Sequence, residues 1–312
     1  MVAVPFVHTM QSEEASEWQA ELQSALPEYR VCSPGSLSKA EAQAVKVAIV
    51  ANPEPSELDR FPSLVWVQSL WAGVERLVTS LRDTVGIVRL VDPVLANTMA
   101  EGVLAHVLYL HRRMPEYRAQ QQEGIWRPLR QPTASERTIA LLGIGELGRS
   151  CADLLVRCGF RVIGWSRSPS DMEGFECHSG KNALPVVLEN ADIIVVLLPL
   201  TDETFGLIDA RMLAKCRRGA SLINVARGPI VHTSALLNAL DDGQIAHAIL
   251  DVFEVEPLPR TSPLWTHRAV SVMPHVAAPT SQRSASLIAA RNIRAYFERH
   301  EMPTSVDRSI GY

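Results

Sequence analysis

The sequence lacks several features that mark special classes of protein. It has no excess of basic charge, since 30 Lys and Arg residues against 34 Asp and Glu give a formal charge of −4, so we expect no nucleic-acid partner. Its longest apolar runs, such as residues 193–198, are strand-sized, whereas a membrane-spanning helix needs about 20 residues, so we expect no membrane partner. Its five cysteines form no Cys-x-x-Cys pair, which favours reduced thiols over disulfides or a metal site. The apolar N-terminus has no basic region and predicts a first strand rather than a signal peptide, so we expect a cytoplasmic protein.

What the sequence does have is a long alternation of short apolar strands and helical segments. Its 312 residues suffice for about two domains, and 47% of them are apolar, as in globular proteins. A single long helix is predicted from residue 97 to residue 122. Strands are predicted at residues 4–8, 45–50, 64–69, 87–91, 138–142, 161–165, 193–197, 220–225, 249–253 and 270–273. The near-continuous apolar character of the later strands favours parallel sheets covered by helices, so the predicted fold class is α/β with two doubly wound domains.

Three glycines form the strongest local motif. Gly143, Gly145 and Gly148 follow the strand at residues 138–142 and open a helix, which is the context that a dinucleotide-binding Gly-x-Gly-x-x-Gly turn requires. In that reading the first glycine makes the tight turn, the second lets a pyrophosphate approach the backbone, and the third lets the helix press on its strand. The helix N-terminus would bind the phosphates. A plain strand-to-helix turn is the alternative.

The end of the next strand bears on which dinucleotide is bound. An NAD site usually carries Asp or Glu there, whereas an NADP site carries Arg and small polar residues. Here Ser166, Arg167 and Ser168 follow the strand, and the first acidic residue is Asp171. Arg167 can pair with a 2′-phosphate, so NADP is the preferred cofactor and NAD remains possible. The alternative is that Arg167 is a solvated loop residue.

Charged side chains follow three later strands. Arg227 comes just after residues 220–225, Glu256 comes shortly after residues 249–253, and His275 follows residues 270–273. Because the carboxyl ends of parallel strands meet at the ligand crevice, we expect these three residues at one edge of a sheet. An Arg fork matches a carboxylate, and a His beside a carboxylate can deliver a proton. They are therefore the candidate catalytic residues.

Together these motifs resemble the D-isomer-specific 2-hydroxyacid dehydrogenase family, and within it the bacterial glyoxylate/hydroxypyruvate reductase A branch. The resemblance extends over essentially the whole chain. It is carried by residues 142–148 (LGIGELG), 197–204 (LLPLTDET), 224–228 (NVARG), 250–259 (LDVFEVEPLP), 262–265 (SPLW), 274–278 (PHVAA) and 306–312 (VDRSIGY).

The resemblance implies a fold and a reaction. A Rossmann NAD(P)-binding domain, residues 98–282, would be inserted into a smaller flavodoxin-like substrate domain, residues 1–97 with 283–312. The reaction would be the NAD(P)H-dependent reduction of small 2-oxoacids such as glyoxylate and hydroxypyruvate to 2-hydroxyacids. Arg227 would bind the substrate carboxylate, His275 would donate the proton, and Glu256 would be its partner. Alternatives are a phosphoglycerate- or lactate-type dehydrogenase, or a non-catalytic NAD(H)-sensing interaction protein on the same scaffold.

The resemblance also implies the remaining site residues, with no metal among their ligands. The substrate would contact Trp71, Ala72 and Gly73 besides Arg227 and His275. The cofactor would contact Gly143, Ile144, Gly145, Glu146, Leu147, Gly148, Ser166, Arg167, Ser168, Leu198, Pro199, Thr204, Val225, Ala226, Asp251, His275 and Ala277.

Two departures from the family and one surface complete the predictions. Trp71 stands where close relatives have Gly, and Ala51 stands where a pocket-lining Trp is expected, so Trp71 is predicted to supply an aromatic wall from a different point. The helix at residues 97–122 is apolar on more than one face through Leu104, Leu108 and His111. Since relatives dimerise through this segment of the cofactor domain, we expect a homodimer.

Overall fold

The computed structural model of the chain describes residues 1–169 and 174–311. It divides into two units, one formed by Met1–Val94 with the chain from Thr280 onward, the other by Leu95–Pro279. In chain order the strands and helices are β1 (Ala3–His8), α1 (Ser12–Ala25), β2 (Arg30–Cys32), α2 (Lys39–Ala44), β3 (Val47–Ala51), α3 (Pro55–Leu58), β4 (Trp66–Ser69), α4 (Glu75–Ser80), β5 (Gly86–Val88), α5 (Pro93–His111), α6 (Met114–Gln122), β6 (Thr138–Leu142), α7 (Glu146–Arg157), β7 (Arg161–Ser166), β8 (Glu176–Ser179), α8 (Leu184–Asn190), β9 (Ile193–Val196), α9 (Ala210–Leu213), β10 (Ala220–Asn224), α10 (Thr233–Asp241), β11 (Ile245–Leu250), β12 (Val270–Val272) and α11 (Gln282–Arg299).

The first unit is built on a parallel sheet of five strands. Their order is β2-β1-β3-β4-β5, which is the flavodoxin-like order of doubly wound sheets. The central strand β3 is buried along its whole length, as expected for a parallel strand that is covered on both faces. α11 returns to this unit and packs beside α1, and its residues Ala285, Ala289 and Ile293 are buried.

The second unit is built on a parallel sheet of seven strands. Their order is β12-β11-β10-β9-β6-β7-β8, the Rossmann order with one strand added beyond it. Alternate residues of β9 point to opposite faces. Ile193 and Val195 join the core cluster that includes Val103 of α5, whereas Ile194 and Val196 join the cluster on the other face. The predicted α/β class with parallel sheets is therefore confirmed.

The helix predicted over residues 97–122 is two helices instead of one. α5 ends at His111, and α6 begins at Met114 after Arg113, whose φ of 57° is left-handed. The cause is Pro115 in the first turn of α6, because proline lacks a backbone N–H and its ring clashes with the carbonyl four residues earlier. The apolar pattern runs through this break, which is why periodicity alone did not reveal it.

Two strands of the structure were not predicted, and one predicted strand lies several residues earlier in the chain than expected. β2 and β8 have only three and four residues, and each lies at an edge of its sheet. β8 reads Glu-Cys-His-Ser, so it has none of the apolar character used to find strands. The strand predicted at residues 249–253 is β11, which ends at Leu250 because Asp251 begins the loop described below. Among the described residues, no helix combines the length and apolar character that crossing a membrane requires.

Candidate active site

Each of the three glycines of the predicted phosphate-binding motif suits its position for a different physical reason. Gly143 follows β6 with a φ of 104°, and a Cβ there would lie 2.8 Å from the backbone carbon of Leu197. A Cβ at Gly148 would lie 2.1 Å from the carbonyl oxygen of Gly143, so only glycine lets α7 pack this closely. Among the described residues, a Cβ at Gly145 would meet nothing within 4 Å, and no side chain caps the first turn of α7. The turn therefore presents open backbone and the uncapped amides of a helix to an anionic ligand.

The other residues of this turn divide between core and surface. Ile144 is buried in the cluster that joins α5 and α7 to the sheet, and Leu147 packs against the same cluster. Glu146 is exposed. Ile144 and Leu147 therefore hold the turn in place, and the backbone is what this turn offers to a ligand.

The end of β7 carries the predicted cofactor-selecting residues. The Ser166 hydroxyl donates to the Ser168 carbonyl at 2.5 Å, which closes a turn around Arg167. Arg167 Nη1 lies 3.3 Å from Glu203 Oε2, on the loop that follows β9. Both side chains are partly exposed, 38% and 47%, so the pair is accessible to a ligand. Asp171 lies outside the described residues.

The loop after β9 holds three more predicted cofactor contacts. Leu198 is buried in the core of the second unit. The Thr204 hydroxyl donates to the Pro199 carbonyl at 2.7 Å and accepts from the Thr201 amide at 2.8 Å. These hydrogen bonds fix the turn at the carboxyl end of β9, beside the glycine turn that follows β6.

Arg227 is held at the end of β10 by backbone contacts. The Asn224 side chain donates to the Arg227 carbonyl at 3.0 Å and accepts from the Ala226 amide at 3.1 Å, which fixes the turn. Val225 and Ala226 are buried, whereas Arg227 is half-buried. Its Nη1 donates to the Ala226 carbonyl at 2.6 Å. The guanidinium is thereby oriented by its own turn at the sheet edge.

His275 and Glu256 form a direct pair. His275 Nδ1 lies 2.7 Å from Glu256 Oε2, while Glu256 Oε1 accepts from the Phe253 amide at 2.9 Å. The imidazole is 53% exposed, so it is accessible to a ligand. Because Nδ1 faces the carboxylate, Nε2 is the nitrogen left to act on a substrate. The predicted pairing of these two residues is thus present in the geometry.

Asp251 builds the loop that carries His275. Its Oδ1 accepts from the Val276 amide at 2.7 Å and its Oδ2 accepts from the Ala277 amide at 2.9 Å. Its own carbonyl accepts from the His275 amide at 2.9 Å, and its amide donates to the Asn224 carbonyl at 2.9 Å. Only 1% of Asp251 is exposed. The resemblance implied a contact between Asp251 and the cofactor, and in the structure both carboxylate oxygens of Asp251 accept hydrogen bonds from the backbone.

The nearby His106, on α5, is influenced by this carboxylate. Burial lowers the pKa of His106 below its ordinary value, and the negative charge of Asp251 partly opposes that shift. The imidazole is therefore mostly neutral at neutral pH and adds little positive charge beside Asp251.

The predicted substrate residues of the first unit lie after β4. The Trp71 amide donates to the Ser69 hydroxyl at 3.0 Å, and this hydroxyl donates back to the Trp71 carbonyl at 3.0 Å, so the turn leading to Ala72 and Gly73 is fixed. The Trp71 indole packs edge-on against Trp18 of α1, with centroids 5.7 Å apart. Its Nε1 is buried and has no hydrogen-bond partner among the described residues. That Trp71 forms a wall of the substrate pocket stays a prediction, and Ala51 is buried at the end of β3.

Sequence reasoning missed the residues that act through others. Asn224 belongs to a recognised motif, but its two bonds to the following turn become visible only in three dimensions. Glu203 and Lys181 are 36 and 14 residues from Arg167, and no local signal joins them. The sequence likewise carried no sign of the role of Gly102 on α5. A Cβ at this position would lie 2.5 Å from the carbonyl oxygen of Ala277, so glycine allows α5 to approach the loop that carries His275.

Comparison with known proteins places this geometry in a family. Residues 104–277 match the family model for the NAD binding domain of the D-isomer specific 2-hydroxyacid dehydrogenases. Glyoxylate/hydroxypyruvate reductase A of Serratia proteamaculans (strain 568) is 37% identical over 308 residues, covering 96% of each chain. The same enzyme of Yersinia enterocolitica is 35% identical over 306 residues, covering 96% of this chain and 97% of the relative.

Solved structures agree with this assignment. A D-isomer specific 2-hydroxyacid dehydrogenase of Xanthobacter autotrophicus Py2, in complex with NADPH and MES, is 41% identical with a TM-score of 0.91 over 99% of each chain. An NADPH-dependent glyoxylate/hydroxypyruvate reductase of Sinorhizobium meliloti, in complex with NADP and sulfate, is 34% identical with a TM-score of 0.91 over 100% of each chain. The chain belongs to the D-isomer-specific 2-hydroxyacid dehydrogenase family.

Proposed function

We propose that the protein reduces small 2-oxoacids, such as glyoxylate and hydroxypyruvate, to 2-hydroxyacids with NADPH in preference to NADH. The observation that carries the proposal is the pair of His275 and Glu256 at 2.7 Å, on a loop fixed by Asp251. This loop leaves the same edge of the sheet as the glycine turn. The relatives named above act on glyoxylate and hydroxypyruvate by name, and several related structures contain NADP or NADPH.

In this mechanism His275 is the proton donor. Glu256 accepts a hydrogen bond from the Nδ1–H group and so stabilises the protonated imidazole, and Nε2 delivers its proton to the oxygen of the carbonyl being reduced. In the reverse direction the same nitrogen accepts the proton. Glu256 therefore orients the imidazole and supports its charge without touching the substrate.

Arg227 is the substrate-binding cation. Its guanidinium binds the substrate carboxylate through paired hydrogen bonds and offsets the negative charge that develops on the carbonyl oxygen. In the first unit, Ser69 fixes the turn that leads to Ala72 and Gly73, whose backbone is the predicted substrate contact of that unit.

The second unit has the features that a dinucleotide requires. The open backbone at Gly145 and the N-terminus of α7 would hold the pyrophosphate, and Ser166, Arg167 and Ser168 would hold the 2′-phosphate. When bound there, NADPH supplies the hydride. We accordingly assign residues 98–282 to the cofactor domain and residues 1–97 with 283–312 to the substrate domain.

The test is turnover of a panel of 2-oxoacids with NADPH and NADH. Glyoxylate and hydroxypyruvate should give higher kcat/KM than pyruvate or 3-phosphohydroxypyruvate. His275→Gln should lose about 10²- to 10⁴-fold in kcat, the usual contribution of a general acid. His267→Gln is the matched control, because His267 precedes the amino end of β12, where it pairs with Asp241 at 3.3 Å, and it should keep wild-type turnover. No turnover of any 2-oxoacid would favour the interaction protein, and preference for pyruvate or the phosphorylated acid would favour another dehydrogenase.

We also propose a homodimer formed through the cofactor domain. Large apolar side chains remain exposed near α5 and α6, with Leu108 at 40%, Met114 at 46%, Ile125 at 42% and Trp126 at 100% exposure. Exposed apolar surface of this kind is typical of an interaction site. His111 does not contribute as the sequence suggested, since it is buried against Phe160. Sedimentation should give twice the mass of 34.3 kDa, and Trp126→Ser should raise the dissociation constant. A wild-type monomer at micromolar concentration would contradict the proposal.

The cytoplasm is the compartment we propose. Cys151 and Cys216 are buried and unpaired, and burial raises the pKa of each thiol to about 12, so both stay protonated and unreactive. Free thiols of this kind suit a reducing compartment. Cell fractionation tests the assignment.

A further inference from the structure

Three charged side chains from separate segments meet beside the end of β7. Arg167 follows β7, Lys181 follows β8, and Glu203 lies in the loop after β9. Glu203 divides its carboxylate between the two cations, with Oε2 at 3.3 Å from Arg167 Nη1 and Oε1 at 3.9 Å from Lys181 Nζ. Among the described residues, these two ion pairs therefore bring together two positive charges and one negative charge.

Backbone contacts place Lys181 at this position. The Trp165 indole donates to the Gly180 carbonyl at 2.9 Å, and the Gly180 amide donates to the Ser166 carbonyl at 3.1 Å. These bonds tie the turn before Lys181 to the last residues of β7. Lys181 thus lies beside Arg167 because the fold holds its turn there.

The two ion pairs are weak enough for a ligand to replace them. Arg167, Glu203 and Lys181 have side chains that are 38%, 47% and 79% exposed. Exposed pairs contribute little stability because water screens them. A phosphate monoester carries about −1.5 to −2 charges and three acceptor oxygens, so it competes well with one carboxylate for both cations.

Building on the NADPH preference proposed above, we propose that Lys181 is the second cationic contact of the cofactor's 2′-phosphate and that Glu203 competes with this phosphate. Glu203 holds the two cations in the free protein and gives them up when the phosphate binds. Its charge therefore opposes the bound phosphate and limits the affinity for NADPH. Glu203 therefore affects how strongly NADPH is preferred over NADH, but it does not determine which of the two is preferred.

The test measures binding of adenosine 2′,5′-bisphosphate and of 5′-AMP to the purified full chain by calorimetry. Lys181→Gln should weaken the bisphosphate by about three- to fivefold, and Glu203→Gln should tighten it by a similar factor, as expected for exposed charges. The affinity for 5′-AMP should change less than about twofold in both variants, because it lacks the 2′-phosphate. The matched controls are Lys215→Gln and Asp202→Asn. Lys215 lies just after α9, and Asp202 is the neighbouring carboxylate, which makes no ion pair in the described part of the chain.

The outcomes separate this inference from the proposed function. Wild-type bisphosphate affinity in Lys181→Gln would remove Lys181 from the site. Weaker binding in Glu203→Gln would mean that Glu203 positions Arg167 and does not compete. Either result overturns the inference. The NADPH preference would still be upheld if Arg167→Ala weakens the binding of the bisphosphate. If the unmodified protein binds the bisphosphate no better than 5′-AMP, the NADPH preference itself fails.

Discussion

Replacing Asp251 with Asn tests whether the loop of His275 is built from this one carboxylate. Asp251 accepts two backbone amides, from Val276 at 2.7 Å and Ala277 at 2.9 Å, and it is 1% exposed. Asn has one acceptor oxygen and an amino group that donates, so one of these two amides must face a donor. The perturbation changes no charge on His275 itself and leaves the side-chain volume nearly the same.

The expected loss follows from that hydrogen-bond count. A buried donor left without an acceptor costs about 1–3 kcal/mol, and a bond to a charged group is worth about 1.5–3 kcal/mol. We therefore expect the free energy of unfolding to fall by about 2–4 kcal/mol. The displaced loop moves the imidazole, and a shift of about 1 Å in a catalytic group costs on the order of 10²-fold in rate. The kcat for glyoxylate should fall at least tenfold, with KM changing less.

Urea unfolding and steady-state kinetics measure the two effects, and Asp242→Asn is the control. Asp242 is exposed, and its Oδ1 accepts from the Gln244 amide at 2.8 Å, so the same chemical change occurs where water can replace the bond. Its effect on stability should stay within about 0.5 kcal/mol. Wild-type stability and kcat in Asp251→Asn would refute the view that this carboxylate holds the loop.

Four further outcomes test three other residues of the candidate site and one buried histidine of the sheet. Arg227→Lys should lower kcat/KM for every 2-oxoacid by about ten- to a hundredfold, because a Lys point charge cannot reproduce the bidentate fork; an unchanged value would remove Arg227 from the substrate. Glu256→Gln should lower kcat by about ten- to a hundredfold through loss of the charged bond to His275 Nδ1, and wild-type kcat would show that the pair is not used. In the wild type, kcat/KM with NADPH should exceed kcat/KM with NADH by at least about tenfold. Arg167→Ala should make this ratio smaller, because the variant loses a charge-assisted contact with the 2′-phosphate. Equal use of both cofactors by the wild type would contradict the prediction. His247 lies on β11, where burial lowers the pKa of its imidazole from 6.5 to about 4. Its neutral form therefore stabilises the fold above pH 6.5, and this contribution, about 3 kcal/mol, is lost as the pH falls toward 4. His247→Gln should lose less stability than the wild type on acidification in urea titrations, and an identical loss would refute the lowered pKa.

The fold was predictable because parallel sheets leave a direct trace in sequence. Strands such as β9 are apolar at every position, since both faces are covered. The glycine turn was equally visible, because close backbone approach at Gly148 excludes every other residue. The edge strand β8 left no such trace, as its residues are only partly buried and its identity depends on pairing with β7.

The site was predictable to the extent that topology alone defines it. Arg227 and His275 follow strands of one parallel sheet, so their shared edge follows from the strand order. Contacts between loops do not follow from strand order. The ion pair of Arg167 with Glu203 depends on two loop conformations and on a separation of 36 residues. Strand order therefore indicates where Arg227 and His275 lie more fully than it indicates how Arg167 is paired.

The backbone of His275 shows how the site is held without rigid secondary structure. Its φ of 56° is left-handed, a conformation that costs a non-glycine residue on the order of 1 kcal/mol or more. The backbone amides of residues 275–277 donate three hydrogen bonds to Asp251 and offset that cost, and the Asp251 amide in turn donates to the Asn224 carbonyl at the end of β10. The imidazole is therefore positioned from the sheet through the buried Asp251, while its ring stays 53% exposed. A donor that must meet a carbonyl oxygen in one orientation needs this arrangement, because an exposed loop without such an anchor would let the ring sample many positions.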